Sequence, residues 1–215
     1  MNFGRTIELL RTSLNAPLPG AAAHDMLAPR PRAEWPAGFR QQDLRHAAGL
    51  LLVFPKDGAA HIVLTERAHS LERHRGQVSM PGGALEPGES VEQAALREAH
   101  EEIGLDTTAV QALGALTPID IPVSGFRLHP IVAAMDATPS LRPAQGEVAR
   151  ILETPVEALL DPRTLGHRSV VREGRAIEIP SFLGAGVEIW GATAMVLAEF
   201  LVLLGWRGPK PERAR

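Results

Sequence analysis

The stretch from Met80 to Leu105, MPGGALEPGESVEQAALREAHEEIGL, constrains the fold of this chain more than any other. Ser90 and the Gln93 that follows three residues later form the capping-box pattern with which helices begin, and a Pro-Gly turn precedes them. Gly104 is typical of the residue that ends a helix. The stretch therefore predicts a glycine-containing turn followed by a helix between Ser90 and Gly104.

The predicted helix carries three carboxylates on one side. Glu98, Glu101 and Glu102 stand at positions i, i+3 and i+4, whereas apolar residues fall on another side that can face a core. Like charges at these spacings repel by about 0.2–0.5 kcal/mol per pair, and the neighbouring Arg97 cannot neutralise all three. The face is then either solvated or occupied by a divalent cation, because Mg²⁺ combines a few carboxylates with the phosphate oxygens of a substrate.

The same stretch resembles the signature of the Nudix hydrolases. The matching positions are Gly83, Glu89, Arg97, Glu98, Ala99, Glu101, Glu102, Gly104 and Leu105. Ala99 is smaller than the aliphatic residue usual there, which affects local packing more than chemistry. The resemblance implies a Nudix fold of the α/β class (α+β type), in which a mixed β-sheet is sandwiched between helices in an α/β/α arrangement.

The resemblance also implies a role for each acidic residue. Glu98, Glu101 and Glu102 are implied as ligands of Mg²⁺ or Mn²⁺, and Glu89 as a further residue that approaches the metal. The general base stays open among Glu101, Glu102 and Glu147, the last of which resembles the acidic element that these proteins bring from outside the signature. Such cations neutralise diphosphate oxygens, activate water and hold it in line. The implied reaction class is metal-assisted hydrolysis.

Four residues of the signature are implied to have structural roles. Arg97 and Glu89 form the pair that braces the loop against the helix. Gly83 and Gly104 allow the tight bends at either end.

The segment from Arg67 to Gly83, RAHSLERHRGQVSMPGG, is unusually basic for this chain. Such a cluster is either a solvated loop or a set of cations that meets an anionic substrate. The sequence here resembles the extra signature of Nudix coenzyme A pyrophosphatases, with matches at Leu64, Thr65, Arg67, Ala68, Leu71, His74, Gly76, Gln77, Val78, Pro81, Gly82 and Gly83. Met80 departs from the usual Phe, and Glu72 stands where a basic residue is usual.

This second resemblance implies that coenzyme A or an acyl-coenzyme A is cleaved at its diphosphate bond, giving adenosine 3′,5′-bisphosphate and 4′-phosphopantetheine or its acyl form. The implied substrate-binding residues are Arg67, Arg73, His74, Arg75, Gly82 and Gly83. Glu72 and Met80 keep open another nucleoside diphosphate derivative, such as NADH, ADP-ribose or a dinucleoside polyphosphate. A third hypothesis is a non-catalytic nucleotide sensor, which would be expected to lose the metal carboxylates that this chain retains.

Hydrophobic patterns predict the elements before the signature. A short amphipathic helix is expected from Thr6 to Leu14, followed by an extended arm rich in Pro, Ala and Gly from Asn15 to Phe39. The apolar run from Ala47 to Phe54 is typical of a strand buried on both faces. An Asp-Gly turn then returns the chain as a second strand from His61 to Thr65.

After the signature, strands are expected from Val110 to Thr117 and from Phe126 to Met135, joined by a loop that forms a wall of the pocket. In that loop Asp120 is either a ligand or, more commonly for an aspartate before a turn, a cap. Glu147 opens a further strand, and a short helix follows it from Thr154.

The last part of the chain predicts a hairpin from Arg168 to Phe182 around a Glu-Gly turn. The apolar run from Ala192 to Leu204 predicts a helix that faces the core or a second copy of the chain, which leaves a homodimer open. The run is shorter than the roughly 20 residues that a membrane span needs.

Composition bounds the class of protein. With 215 residues and 45% hydrophobic content, we expect one domain at 40–206 between an N-terminal helix and arm (1–39) and a disordered tail (207–215). A net charge of −3 argues against nucleic acid as a partner, so a small-molecule substrate is expected, with no membrane partner. The chain has no cysteine and no signal-peptide pattern, which suits the cytoplasm.

Overall fold

The computed structural model of the chain describes residues 1–68, 76–172, 174–184 and 186–209. Arg73, His74 and Arg75, which were expected to bind substrate, lie outside these ranges, as does the expected tail from residue 210 onward. The main helices are α1 Phe3–Leu14, α2 Ala21–His24, α3 Val91–Ile103, α4 Val156–Leu160 and α5 Gly191–Leu203. The strands are β1 Arg45–Lys56, β2 Ala59–Arg67, β3 Val78–Ser79, β4 Gly82–Ala84, β5 Gln111–Ala115, β6 Ile119–Ile121, β7 Phe126–Ala134, β8 Val148–Pro155, β9 Leu165–Arg172, β10 Arg175–Gly184 and β11 Val187–Trp190.

A mixed sheet formed by strands β1 to β8 lies at the centre of the described chain. Its middle strand, β1, runs parallel to β7 on one side. On the other side Val53–Lys56 pair with β2, whereas Ala47–Gly49 pair with β4. The far end of β2 pairs with β3 on this same side, whereas β8 pairs with β2 from His61 to Arg67 on its other side. The short strands β3 and β4 therefore lie between β2 and β1 at this end of the sheet.

Helices cover both faces of this sheet. Ala48, Leu50 and Leu52 of β1 belong to the buried cluster that includes α3. The alternate residues Leu51 and Val53 belong to the cluster that includes α5. This division follows from the two-residue period of a strand. It confirms the expected α/β/α arrangement around a mixed sheet, and a second sheet of β9, β10 and β11 packs beside β3.

Most of the expected elements are present with small shifts of their ends. The hairpin of β1 and β2 and the hairpin of β9 and β10 lie where alternation and turn residues predicted them. The short helix after β8 begins at Val156, two residues after the expected Thr154, and Pro155 is its cap residue. Within the arm, α2 was not expected, since its four residues have no side-chain cap.

The expected loop between residues 118 and 125 contains strand β6. Asp120 of β6 lies opposite Arg127 of β7, and Arg127 Nε donates to Asp120 Oδ1 at 2.6 Å. The prediction of a cap at Asp120 was therefore wrong. The arginine on the neighbouring strand lowers the pKa of the Asp120 carboxyl by this hydrogen bond, and strand pairing of this kind is invisible in the local pattern.

One buried carboxylate fastens the arm to the domain. Glu199 of α5 is fully buried and accepts hydrogen bonds from Gly20 N–H at 2.9 Å, Thr117 N–H at 3.0 Å and the Thr117 hydroxyl at 2.7 Å. His24 Nε2 lies 2.9 Å from Glu199 Oε2, the oxygen that also accepts from Thr117 N–H. Helix α5 thus faces the core. Among the described residues, no helix combines the length and the apolar character needed to cross a membrane.

Candidate active site

Helix α3 is fixed at both ends by its own sequence. The Ser90 hydroxyl accepts from Gln93 N–H, and the Gln93 side chain accepts from Ser90 N–H, which completes the predicted capping box. Gly104 ends the helix with a φ of 62°, a left-handed conformation that glycine adopts without steric cost. Helix α3 therefore begins and ends where the sequence predicted. Its position determines on which side of the helix the acidic side chains lie.

Arg97 connects the helix to the loop before it. Its Nε and Nη2 donate to the two carboxylate oxygens of Glu89 at 2.9 and 3.1 Å, and Nη2 also donates to the Ala84 carbonyl at 3.1 Å. The Arg97 hydrogen bonds lower the pKa of Glu89, and the bonds to Glu89 raise that of the guanidinium. This is the bracing geometry that the resemblance implied for the two residues.

Arg97 also contacts two of the three carboxylates on α3. Its Nη1 lies 3.0 Å from Glu98 Oε1 and 3.1 Å from Glu101 Oε2. The expected repulsion among the carboxylates is therefore relieved at Glu98 and Glu101 by one arginine, and not at Glu102. The three side chains also differ in exposure, since Glu101 is exposed and Glu102 is only 7% exposed.

Glu102 is the most perturbed acid of this group. Burial raises its pKa to about 7; the Gly82 N–H, which donates to Oε2 at 3.2 Å, and the charge of Arg67 oppose the rise, whereas the charges of Glu98 and Glu147 add to it. Residues from three other segments of the chain, namely Arg67, Gly82 and Glu147, affect the pKa of this carboxyl. Glu102 therefore occupies the centre of the acidic group.

The two glycines of β4 allow the strand to approach its neighbours closely. A Cβ on Gly83 would lie 2.2 Å from Glu98 Oε1, and a Cβ on Gly82 would lie 2.3 Å from the Ala48 carbonyl oxygen. Both distances are far below van der Waals contact. Gly82 is therefore required where β4 pairs with β1, because its close neighbours are backbone atoms, whereas a side chain at Gly83 would displace the Glu98 carboxylate.

A second segment joins the site from outside the signature. Ala144 N–H donates to the Glu102 carbonyl at 2.8 Å, and Ala68 N–H donates to the Glu147 carbonyl at 2.8 Å. These bonds hold the exposed Glu147 beside the end of β2. The Ala144 contact was not predicted, because it joins backbone atoms of residues that no motif links.

Arg67 places a positive charge near Glu102. Its Nε is buried and has no hydrogen-bond partner within the part of the chain that the structure describes. A buried donor without a partner is costly, and its charge lowers the pKa of Glu102. This buried donor is therefore unsatisfied within the described part of the chain.

The donor set suits a hard divalent cation. Glu98, Glu101 and Glu102 offer carboxylate oxygens, which Mg²⁺ and Mn²⁺ prefer, and burial together with the charges of Glu98 and Glu147 raises the pKa of Glu102. In the described ranges, no three such side chains already converge on one point, and Arg97 engages Glu98 and Glu101. The residues fit a metal, since Arg97 engages only one oxygen each of Glu98 and Glu101.

Comparison with known proteins identifies the family of the chain. The NUDIX domain family model matches residues 43–173. The chain is 34% identical over 164 residues to an uncharacterised Nudix hydrolase, NudL, of Salmonella paratyphi B and equally to that of Salmonella newport, covering 75% of this chain and 83% of each relative. Its fold is similar to a crystal structure of the Nudix hydrolase RenU from M. smegmatis, with a TM-score of 0.53 and 23% identity over 87% of this chain and 98% of that one. The chain belongs to the Nudix hydrolase family.

Proposed function

We propose that the chain hydrolyses the diphosphate bond of coenzyme A or acyl-coenzyme A in the presence of Mg²⁺ or Mn²⁺. Membership of the Nudix hydrolases makes it a pyrophosphohydrolase, and the substrate is the further step. The observation that carries this step is Arg67, whose buried Nε lacks a partner beside the acidic group and which belongs to the coenzyme A-type signature. A phosphate oxygen of the substrate would satisfy this donor.

This proposal assigns tasks to the acidic group and to the residues that contact it. Glu98, Glu101 and Glu102 would hold the cation, which, when bound, neutralises the diphosphate and activates water. Gly82 N–H orients the Glu102 carboxylate by its hydrogen bond at 3.2 Å. Arg97 holds Glu98 and Glu101 before the metal enters. The proton acceptor is one of Glu101, Glu102 and Glu147, the last of which is exposed at the rim of the site.

The second candidate is another nucleoside diphosphate derivative. Met80 supports it, because this buried side chain, 6% exposed, occupies the position where the coenzyme A signature has Phe. Met fills a similar apolar volume but is more flexible, so the shape of the substrate site next to Gly82 differs from that of the signature. Glu72, the other departure, lies outside the described residues.

Mass analysis of reaction products separates these functions. The protein is incubated with coenzyme A, NADH, ADP-ribose and dinucleoside polyphosphates together, with Mg²⁺ or Mn²⁺. We expect 4′-phosphopantetheine and adenosine 3′,5′-bisphosphate to form first. If another compound is consumed first, that compound rather than coenzyme A is the substrate. Binding of a compound without formation of any product would indicate the non-catalytic sensor.

A comparison of coenzyme A with 3′-dephospho-coenzyme A tests the role proposed for the basic segment that contains Arg67, Arg73 and Arg75. We expect a higher kcat/KM for coenzyme A, since an added phosphate gives these arginines a further anionic partner. Equal kcat/KM values would remove recognition of the 3′-phosphate from the proposal. The diphosphate chemistry would be unaffected by that result.

A further inference from the structure

His46 of β1 and His129 of β7 form a pair of imidazoles that face each other. His46 Nδ1 lies 2.9 Å from His129 Nε2, the ring centres are 5.1 Å apart, and the ring planes make an angle of 27°. The distance between the centres is close to the N···N distance plus the two ring radii, so the two nitrogens lie along the line of centres. An N–H of one ring therefore points at the lone pair of the other, which is the geometry of a hydrogen bond.

The imidazole pair lies on the face of the central sheet that α3 covers. Ala48 of β1 and Ile131 of β7 belong to the buried cluster that includes α3, and residues two positions apart on a strand point to the same face. Ala48 pairs with His129 of β7 on one side and with Gly83 of β4 on the other. The imidazole pair therefore joins β1 to β7 next to the point where β1 also supports β4.

Two imidazoles that share a hydrogen bond have a limited capacity for protons. With no added proton, one ring donates and the other accepts. With one added proton, the charged ring still donates to the neutral ring, and the hydrogen bond becomes charge-assisted. A second added proton places a hydrogen on both facing nitrogens and a positive charge on both rings, so the rings must separate. The hydrogen bond therefore survives the first added proton and breaks with the second.

The surroundings of the two rings decide where these protons go. His46 is exposed, whereas His129 is half-buried and follows Arg127 by two residues on β7. Burial lowers the pKa of His129, and the charges of His46 and Arg127 lower it further. Asp120 opposes these effects, but its carboxylate accepts two hydrogen bonds from Arg127. The exposed ring therefore takes the first proton, and the half-buried ring resists the second.

Other charged groups lie on the elements around the pair. They are Arg32 of the arm, Arg45 on the opposite face of β1, Glu86 and Glu89 of the loop after β4, and Glu98 of α3. Arg97 engages both Glu89 and Glu98. Hydrogen bonds from Arg127 and the charge of Arg32 lower the pKa of Asp120, and Arg97 lowers that of Glu89. Asp120 and Glu89 therefore keep their charge in the range where an imidazole titrates.

We propose that the His46–His129 pair is a pH-sensitive switch, which holds β1 against β7 while at most one ring is charged and opens in acid when both are charged. Opening removes a side-chain link between the two strands beside Ala48. Because Ala48 also pairs with Gly83 of β4, the change reaches the strand whose glycines lie next to the acidic site. The switch requires neither a particular substrate nor hydrolysis, so it stands apart from the proposed function.

NMR of the ¹⁵N-labelled, metal-free protein, titrated from neutral pH into acid, tests the switch directly. We expect the His46 ring to take up a proton first and the His129 ring to follow at a midpoint below the ordinary value of about 6.5. The backbone amide signals of Ala48 and Gly83 should shift with the second step. Two rings that titrate together near pH 6.5, or amide signals that do not respond to the second step, would overturn the switch.

Two substitutions keep a hydrogen bond in this place and remove one titrating ring. The amide of His129→Gln can reach the position of Nε2, and that of His46→Asn the position of Nδ1, so each can pair with the remaining imidazole. Either variant carries at most one positive charge and stays closed in acid. We therefore expect the second step at Ala48 and Gly83 to disappear in both variants.

Urea unfolding provides a second measurement of the same switch. Since the pKa of His129 is lowered in the folded protein, the unfolded chain binds this proton at a higher pH than the folded protein does. The free energy of unfolding of the wild type should therefore fall, relative to that of His129→Gln, as pH drops below about 6.5. A urea midpoint whose difference between the two proteins does not change with pH would contradict the switch.

His61→Asn is the matched control at another half-buried histidine, whose Nδ1 lies 3.3 Å from the Ala59 carbonyl oxygen. It should leave the second step at Ala48 and Gly83 unchanged. Loss of that step in His61→Asn as well as in His129→Gln would show that the pair is not its source. Thermal unfolding at neutral pH identifies any variant that has lost its fold, and the wild-type titration then decides by itself.

Discussion

Burial and neighbouring negative charges both raise the pKa of the Glu102 carboxyl. The substitution Glu102→Gln removes the charge of this side chain and keeps its shape. Glutamine keeps the volume, and its side-chain oxygen can still accept from Gly82 N–H, but it removes one ligand charge from the metal site. We expect Glu102→Gln to lower kcat by about 100-fold or more, because the cation that stabilises the transition state is held less well. Steady-state kinetics at saturating Mg²⁺ measures this change. The matched control is Glu92→Gln on the exposed first turn of α3, and near-normal turnover in Glu102→Gln would contradict its assigned role.

The raised pKa of Glu102 also predicts how the stability of the metal-free protein varies with pH. Burial raises this pKa from 4.5 to about 7, so between these values the folded protein binds a proton that the unfolded chain has lost. The free energy of unfolding therefore falls as pH rises through this window. Relative to wild type, Glu102→Gln should gain up to about 3 kcal/mol between pH 4.5 and 7. Urea unfolding in a chelator measures this, and a pH-independent difference would exclude the raised pKa.

Gly83 tests whether close approach of β4 matters for the acidic group. In Gly83→Ala the new Cβ would stand 2.2 Å from Glu98 Oε1, so the carboxylate must move away from the site. We expect metal affinity to fall by about 10- to 100-fold, measured by titration with Mn²⁺. Gly184→Ala adds the same methyl group to a strand position with no heavy atom within 4 Å. Equal affinities in both variants would show that the position of Glu98 does not control the metal.

At the scale of elements, Arg97 joins the loop at Ala84 and Glu89 to helix α3. Lysine keeps the charge but cannot reproduce the paired contacts with Glu89 and the bond to the Ala84 carbonyl. We expect Arg97→Lys to lower the free energy of unfolding by about 2 kcal/mol, the scale of losing a charged hydrogen bond. Urea unfolding measures it, with Arg150→Lys at the more exposed Glu66 ion pair as the control. An equal decrease in the free energy of unfolding in the two variants would contradict the bracing role of Arg97.

The elements that the sequence predicted are those whose signals are local. The capping box and Gly104 define α3, and turn residues between apolar runs define the two hairpins. Strands β3, β4 and β6 were not predicted because each has only two or three residues and exists through pairing with a distant strand. Short strands carry too few residues for a periodic pattern to be detected.

The same distinction applies to the site. Fixed spacing along one helix predicted which carboxylates lie on α3, but not that Arg97 would engage Glu98 and Glu101 while Glu102 stays buried. That difference depends on how β4 and the segment at Ala144 pack over the helix. Burial and long-range hydrogen bonds arise from the three-dimensional arrangement, and so the pKa of Glu102 could not be predicted from spacing alone.

At the scale of the whole molecule, Glu199 links the arm, the central sheet and the last helix. Burial by itself would raise the pKa of this carboxyl, but hydrogen bonds from His24, Thr117 and Gly20 outweigh that effect and lower the pKa below 4.5. A carboxyl with a lowered pKa stabilises the fold above its unfolded pKa, and this contribution is lost as pH falls through the folded value. The link should therefore be complete at neutral pH and weaken below about pH 4.5.

Glu199→Gln tests this link. Removing the charge leaves His24 and Thr117 with a weaker partner in a buried site, so we expect the free energy of unfolding to fall by about 3 kcal/mol at pH 7. The difference from wild type should shrink as pH falls below 4.5, where the wild-type carboxylate also becomes neutral. Glu8→Gln on the exposed face of α1 is the matched control. A difference that persists unchanged in acid would mean that the shape of the side chain, rather than its charge, holds the arm to the domain.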